Sequence, residues 1–387
     1  MSKIEEMIKE LCPKGVEKVK LGDVCNISRG KRVVRKDLET VGKIPVFQNS
    51  LVPLGYYSKS NCPAETTFVI SAGAAGVIGI SDTPFWAADD CFIVESTQME
   101  DKFIYNFLKT KEYYLQSKIR GGAIKRLAKE PLEALEIPLP PLAIQQEIVS
   151  VLDSFTTLID KMKKEVELRK KQMEVYCDKL YGGNIEGMKA LANIPGNSVI
   201  KISELGTITR GRRFVRDDIR ESGQPCIHYG DMYTYYGTHA IKAKTYLDRD
   251  FPKKMKYAEY GDVVVVGAGE NDYDIGVGLV WYGEEPVAVH DACYILKHEQ
   301  EPMYISYYLR SNIYHQQLKQ YVSSGKISSF SADGLGKVLI PIQPREKQQE
   351  IAYTLRAFEA YISKLEKLIA LRQKQYEYYR EKLLTFE

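Results

Sequence analysis

The sequence predicts an α+β chain: two pseudo-repeated α/β globular domains separated by two long helices that pack on each other as an antiparallel coiled coil. Three observations carry this. A charged run with a leucine and isoleucine stripe, over 138–183, returns from 341 onward; it opens as IPLPPLAIQQEI at 137–148 and IPIQPREKQQEI at 340–351, and continues as LRKKQ at 168–172 and LRQKQ at 371–375. In both copies apolar residues alternate at spacings of four and three, the seam of a coiled coil. The stretch ahead of each copy holds short β-type runs whose landmarks match in order, so the plan of the whole chain is duplicated.

The seam of the first helix runs through Ile148, Leu152, Phe155, Ile159, Met162, Val166, Met173, Tyr176 and Leu180. That of the second runs through Ile351, Leu355, Phe358, Ile362, Leu365, Ile369, Tyr376, Tyr379 and Leu383. Both seams admit an arginine at the same position, Arg169 and Arg372. Two readings of it are open: a stem laid along apolar surface with its head in water, or a polar layer that sets register. The prolines upstream favour an extended approach to each helix, and Gly182 with Gly183 supplies a stop for the first. At 1.5 Å per residue, about 38 residues make a rod of roughly 57 Å, more than one compact domain needs. Core helices of separate globular domains would be shorter and carry a broader apolar face.

With 387 residues, 44% hydrophobic and 27% charged, the chain is expected to be soluble, to form two or more domains, and to hold large cores. No apolar run reaches the length of a membrane span, and the charged opening MSKIEEMIKELC lacks the apolar core of a signal peptide. A cytoplasmic location without membrane contact is therefore expected. Seven cysteines, Cys12, Cys25, Cys62, Cys91, Cys177, Cys226 and Cys293, lie far apart with no CxxC pair. That is the pattern of reduced thiols, not of a disulfide framework or a zinc site. The net charge of +3 is too small to name a polyanionic partner, so any nucleic-acid surface must be local.

In chain order, 1–16 reads as a short helical segment and 17–137 as the first domain, with strands near 67–71 and 91–95 and a helix near 99–119. The first long helix occupies 138–183, a Gly/Asn linker 184–196, the second domain 197–340 and the second long helix 341–387. ISRGKRVVRKDL (27–38) corresponds to ITRGRRFVRDDI (208–219), and AGAAG (72–76) to VGAGEND (266–272). DDCFIV (89–94) matches DACYIL (291–296), FLKT (107–110) matches YLRS (308–311), and GGAIKRL (121–127) matches SSGKISSF (323–330). Between these landmarks the domains diverge: 48–59 shares little with 229–243. One scaffold thus presents two different surfaces.

No catalytic constellation emerges. The glycine-rich AGAAG and GAGENDYDIGVG lack the Lys-Ser/Thr of a phosphate-binding loop and open no helix after GxGxxG, so they read as strand turns. SDTPF (81–85) brushes against the Asp/Asn-Pro-Pro-Phe/Tyr of DNA amino-methyltransferases, but Thr83 stands where the first proline belongs. His228, His239, His290, His298 and His315 form no HExxH, and no GxSxG serine occurs. Glu270, Asp272 and Asp274 can be read as a cation site or as a solvated loop, and they lack EF-hand spacing.

What does stand out is a basic cluster that occurs twice: Arg29, Lys31, Arg32 and Arg35, then Arg210, Arg212, Arg213 and Arg216. A lone cluster is ordinarily a solvated face. Recurrence at equivalent positions of two diverged repeats points to a shared task such as gripping phosphates, which position a reader without carrying sequence information. Lys125 and Arg126 in the first repeat and Lys326 in the second join the set. Among 27 tyrosines, those of HYGDMYTYYGTH (228–239), Tyr229 and Tyr233 in particular, suit a base-reading or stacking loop. An ordinary polar hairpin is the other reading of that tract.

In the order and duplication of these features the chain resembles the specificity subunits of type I restriction-modification systems, over essentially its whole length. Two target-recognition domains are each followed by a long helix that opens with prolines and a glutamine: Pro138, Pro140, Pro141 and Gln145, then Pro341, Pro344 and Gln348. In that family a Glu-Gln dipeptide typically follows the proline pair; here Ile144 and Lys347 occupy the glutamate position. LCPKGVEKVKLGDV (11–24) is similar to the family's lead into its first recognition domain.

The resemblance implies a non-catalytic subunit that binds double-stranded DNA at an asymmetric bipartite site, one half per domain, with the paired helices setting the gap. It implies two docked modification subunits that methylate adenine, and through them ATP-dependent restriction subunits. S-adenosylmethionine, ATP and Mg would belong to those partners and none to this chain, which accounts for the missing methyltransferase and ATPase motifs. Recognition residues do not carry over between members. The residues also admit another class, a duplicated coiled-coil scaffold that never touches DNA. A chain fused to its own methyltransferase is disfavoured by the lack of an adenine-methylation motif.

Overall fold

A computed structural model describes residues 2–121, 125–251, 255–269, 275–323, 325 and 327–386. The chain divides into two compact units, Met1–Lys163 with Lys367–Glu387, and Lys164–Glu366. Each unit holds one globular domain, the first part of the long helix that follows it, and the last part of the other long helix.

In the first unit, Thr67–Ile70 is wholly buried and lies between Cys91–Glu95 and Ile78–Gly79, with Asn26–Arg29 completing a four-stranded sheet among the described residues. Successive side chains of a strand point to opposite faces. Val69 therefore joins the core that contains Phe103 and Phe107 of the helix Asp101–Thr110. Phe68 and Ile70 join the core that contains Phe47 and Phe85, and the Phe47 and Phe68 rings stack at 5.0 Å. The second sheet is Gly55–Tyr57, Ile44–Phe47 and Trp86–Ala87, the last pair parallel.

The second unit repeats this. Val263–Val266 is fully buried and paired on both sides. Val263 and Val265 enter the core that contains Tyr304 and Tyr307 of the helix Pro302–Tyr308; Val264 and Val266 enter the core that contains Ile227 and Val289 of the second sheet. That sheet runs Thr245–Leu247, Gln224–Ile227, Val287–Val289, Tyr257–Ala258.

A pairing not anticipated from the sequence closes each domain. Lys18–Lys20 lies antiparallel to Glu136–Pro138, and Ser198–Lys201 to Leu339–Ile342. The first and last strands of each domain thus meet where its long helix begins. Two further segments differ from expectation. The helix expected near 99–119 is two, Asp101–Thr110 and Glu112–Ser117, broken at Lys111 (φ −100°, ψ 4°), where the Thr110 hydroxyl donates back to the Phe107 carbonyl at 2.7 Å. The stretch read as a linker, 184–196, carries the helix Ile185–Leu191. Asn184 caps it, accepting from the Gly187 N–H at 2.8 Å, and Met188 anchors it in the core.

The long helices are Leu142–Leu180 and Arg345–Thr385. In the first unit Ile148, Leu152 and Ile159 are buried with Tyr376 and Leu383, and Phe155 stacks on Tyr379 at 5.6 Å. In the second, Lys170 pairs with Glu366 at 2.7 Å and Tyr176 meets Phe358 at 5.8 Å. Numbering climbs on one helix as it falls on the other, so the pairing is antiparallel. Leu355 and Ile362 are buried, whereas Met162, Phe358 and Leu365 are half-buried. Arg169 donates to Glu165 and Gln172, each at 2.7 Å, with its guanidinium 6.0 Å from the Tyr361 ring centre. Arg372 donates to Gln375 at 2.6 Å. Both heads are held along their own helices, and neither has a carboxylate partner across the seam among the described residues.

The seven cysteines are free thiols. Burial pushes Cys25 and Cys226 up to about 11, and Cys62, Cys91, Cys177 and Cys293 up to about 12. Protonated thiols of this kind are poor nucleophiles. Among the described residues no helix is long and apolar enough to cross a membrane.

Candidate nucleic-acid interface

Each basic cluster begins at the end of an edge strand. After Asn26–Arg29, the Gly30 N–H donates to the Cys91 carbonyl at 3.0 Å and the Lys31 N–H to the Ala87 carbonyl at 2.9 Å. After Gly206–Arg210, Gly211 and Arg212 repeat this with Cys293 and Val289 at 3.0 and 2.9 Å. A Cβ on Gly30 would lie 2.2 Å from the Ala88 carbonyl oxygen, and one on Gly211 2.2 Å from that of His290. Only glycine lets the backbone run this close. The chain then turns outward into the 3-10 turns Arg35–Asp37 and Arg216–Asp218. Lys31, Arg32, Arg35, Arg212, Arg213 and Arg216 are all exposed.

The leading arginines are used locally. Arg29 lies over the Phe92 ring at 5.5 Å, and Arg210 Nε donates to the Asp291 carbonyl at 2.7 Å. Arg126 bridges Ala72, and the Leu127 N–H donates to the Ser71 carbonyl at 2.8 Å, so Lys125 and Arg126 sit beside the AGAAG turn. The matching pair in the second domain is Ala268–Gly269 with Ser328–Ser329. Lys326 lies outside the described residues, as do Glu270, Asp272 and Asp274. Among the described residues, none of the basic candidates forms an ion pair with a carboxylate, whereas Lys102 holds both Glu65 and Asp153. Charge left unpaired at the surface is free to meet a polyanion.

The aromatic tract opens with the short helix Tyr229–Thr234, which borders a cavity of about 640 Å³. Arg216, His228, Tyr229, Asp231, Tyr233 and Lys244 line it. Lys244 pairs with Asp231 at 2.7 Å, and the Tyr233 hydroxyl donates to the Ala268 carbonyl at 3.0 Å. His228 and His290 lie 4.6 Å apart between ring centres, with Phe214 and Tyr229 against them. Burial holds both imidazoles below their usual range, and for His290 the facing His228 adds to the effect. In each ring Nδ1 accepts from a nearby backbone N–H, of Gly230 at 3.2 Å and of Ala292 at 3.1 Å, which leaves Nε2 as the nitrogen free to donate. Sequence reasoning included His228 in the tract at 228–239 without singling it out, and missed His290 and Lys244 as members of this site. The parallel pairing of Cys226 and Ile227 with Ala288 and Val289 brings the two histidines together, and no local pattern announces it. SDTPF is a turn, closed by the Ser81 hydroxyl donating to the Thr83 carbonyl at 2.8 Å.

The pattern that defines the type I restriction modification DNA specificity domain matches this chain twice, over residues 13–168 and 196–373. The chain belongs to that family. A Haemophilus influenzae sequence assigned as a type I restriction enzyme specificity subunit is 27% identical over 96% of both chains. The type I restriction enzyme MjaVIII specificity subunit of Methanocaldococcus jannaschii is 23% identical over 96% of this chain and 92% of its own. The fold is that of the type I restriction-modification S subunit from M. genitalium, with a TM-score of 0.59, 17% identity, and 95% and 96% of the two chains covered. A chain solved in work on complex assembly and conformational transition of the type I R-M system aligns with a TM-score of 0.60 at 16% identity, covering 96% and 98%.

In both specificity domains the glutamine after the prolines has the same task. Fully buried Gln145 accepts from the Glu100 N–H at 2.8 Å and donates to the Pro140 carbonyl at 2.8 Å. Gln348 accepts from the Glu301 N–H at 3.0 Å and donates to the Gln343 carbonyl at 2.7 Å. Glu100 and Glu301 cap the helices Asp101–Thr110 and Pro302–Tyr308, so this glutamine ties each specificity domain to its long helix. Ile144, in the place of the family's glutamate, is buried in the core, and Lys347 instead pairs with Glu350 at 2.8 Å.

Proposed function

We propose that this chain is the DNA-reading subunit of a type I restriction-modification complex. Each specificity domain takes one half of an asymmetric bipartite site in double-stranded DNA, and the paired helices set the gap and dock two modification subunits. Those subunits carry S-adenosylmethionine and methylate adenine; restriction subunits, with ATP and Mg, join through them. The chain itself orients and carries out no chemistry, and it works in the cytoplasm.

The observation that carries this reading is the repeated basic turn. Two domains that differ in their intervening loops keep the same glycine against the equivalent carbonyls, and follow it with exposed cations that have no carboxylate partner among the described residues. Cations that neutralise phosphates bind every sequence alike and supply the common grip, while the divergent loops supply discrimination. The test is to map N6-methyladenine across the genome of cells that carry the modification subunit with and without this chain. A chain-dependent bipartite motif is expected. Absence of any such methylation, with the complex formed, would favour a scaffold that does not touch DNA.

A further inference from the structure

We infer that Arg216 reads a guanine in the half-site taken by the second domain, while Arg212 and Arg213 hold phosphates. The inference rests on the DNA-reading function proposed above.

Among the repeated cations of this domain, Arg216 lines the cavity of about 640 Å³. Among the described residues its guanidinium has no hydrogen bond and no ion pair, although the Asp231 carboxylate borders the same recess. That carboxylate is occupied by Lys244 at 2.7 Å, and the Lys244 ammonium also lies 5.1 Å from the Tyr235 ring centre. Arg216 therefore keeps its donors free beside a walled site, while the other cation there is neutralised. The wall is aromatic: the His228 and Tyr229 rings lie 4.6 Å apart, tilted by 38°. A phosphate needs only charge, whereas a planar base edge with an in-plane pair of acceptors suits a fork of donors next to aromatic walls. In the major groove guanine offers that pair, N7 and O6, and arginine is its usual partner.

The backbone beneath Arg216 is fixed. Asp218 accepts from the Val215 N–H at 2.7 Å and closes the 3-10 turn, and Phe214 is buried against His290. A side chain projected from a locked turn can discriminate bases, which a swinging one cannot. Arg212 and Arg213 precede this turn and are exposed. In the first domain Arg35 opens the equivalent turn, but Gln48 stands where the second domain has His228, and it donates to Asp90 at 3.2 Å. The assignment is thus specific to the second domain.

The test uses the full chain produced with its modification subunit, and N6-methyladenine is mapped for the wild type, R216A and the double variant R212A/R213A. The second half-site is the one that changes when residues 197–340 are exchanged for another member's domain. Discrimination for one guanine of that half-site is expected to fall about ten- to hundredfold in R216A, with the first half-site intact. R212A/R213A is expected to thin methylation at every site and leave the motif unchanged. An R216A motif identical to wild type, or a second half-site without any G·C pair, overturns the assignment. If R216A abolishes methylation, the purified complex is titrated with duplexes that differ only at the guanine: equal affinity supports the assignment and a retained preference overturns it. A wild type without chain-dependent methylation overturns the proposed function itself.

Discussion

The hydroxyl of Thr238 lies 2.8 and 3.0 Å from the two carboxylate oxygens of Glu359. Tyr307 donates to the same carboxylate at 2.8 Å, and Arg310 holds the neighbouring Gly237 carbonyl at 2.7 Å. The far end of the aromatic tract is thereby fastened to the second long helix. Glu359→Ala removes the acceptor that the Thr238 and Tyr307 hydroxyls share and is expected to cost about 1–3 kcal/mol. Urea unfolding of the full chain measures it. Glu359→Gln, which keeps one acceptor oxygen, should recover part of the loss; an unchanged midpoint for Glu359→Ala would refute the fastening.

Gln145 and Gln348 each need both ends of the amide. Substitution by alanine strands a helix-capping N–H and a buried carbonyl, with an expected loss of about 1–3 kcal/mol at each site. Because the two glutamines share no partner, the double variant should lose the sum of the two single losses. Substitution by glutamate is expected to be no better than alanine: the carboxylate can accept from the N–H of Glu100 or Glu301 but cannot donate to the Pro140 or Gln343 carbonyl. Chemical denaturation of the single and double variants checks both statements.

His298 makes the second unit acid-sensitive. Burial, with Arg345 adding to it, lowers its pKa from 6.5 to about 4; Nδ1 accepts from the Gln300 N–H at 3.1 Å, and the other ring nitrogen is buried without a partner among the described residues. Between these values the unfolded chain takes up a proton that the folded chain refuses, so stability is full above about pH 6.5 and declines as pH falls toward 4. The loss amounts to about 3 kcal/mol. Unfolding measured across this range should show that slope in the wild type and a flatter one in His298→Gln.

The close approach at Gly30 and Gly211 can be broken without touching a charge. Gly211→Ala forces a methyl group against the His290 and Val289 carbonyls, 2.2 and 2.4 Å from an ideal Cβ, and displaces the turn that carries Arg212, Arg213 and Arg216. The expected cost is about 1–3 kcal/mol of stability, together with weakened protection of one half-site in a DNA footprint. Gly30→Ala should weaken the other half-site. Protection of both half-sites at wild-type strength in each variant would count against the turn as the grip.

Much of the architecture was legible because it rests on short-range pattern. The strands near 67–71 and 91–95, the stripe of Ile148, Leu152 and Ile159, and the two glycines past Leu180 follow from local composition, side-chain periodicity and backbone geometry. What escaped the sequence depends on partners remote in the chain. The pairing of Lys18–Lys20 with Glu136–Pro138 spans the first domain, and the recess beside Arg216 exists because strands at 224–227 and 287–289 lie side by side. The motif glutamines were visible as repeated letters, yet their meaning lay in the N–H groups of Glu100 and Glu301. The basic turns fell between: repetition flagged them, and only the geometry separated arginines bonded locally from one facing a cavity.

The first unit is assembled from two stretches of chain separated by the whole of the second, Met1–Lys163 and Lys367–Glu387. Tyr376, Leu383 and Leu384 complete the core around Ile148 and Leu152. On the ribosome, residues 1–163 emerge early but wait with that apolar face uncovered while the contiguous second unit is made and can fold. The unit begun first is the last to be finished, and its hydrophobic face stays open while residues 164–366 are made.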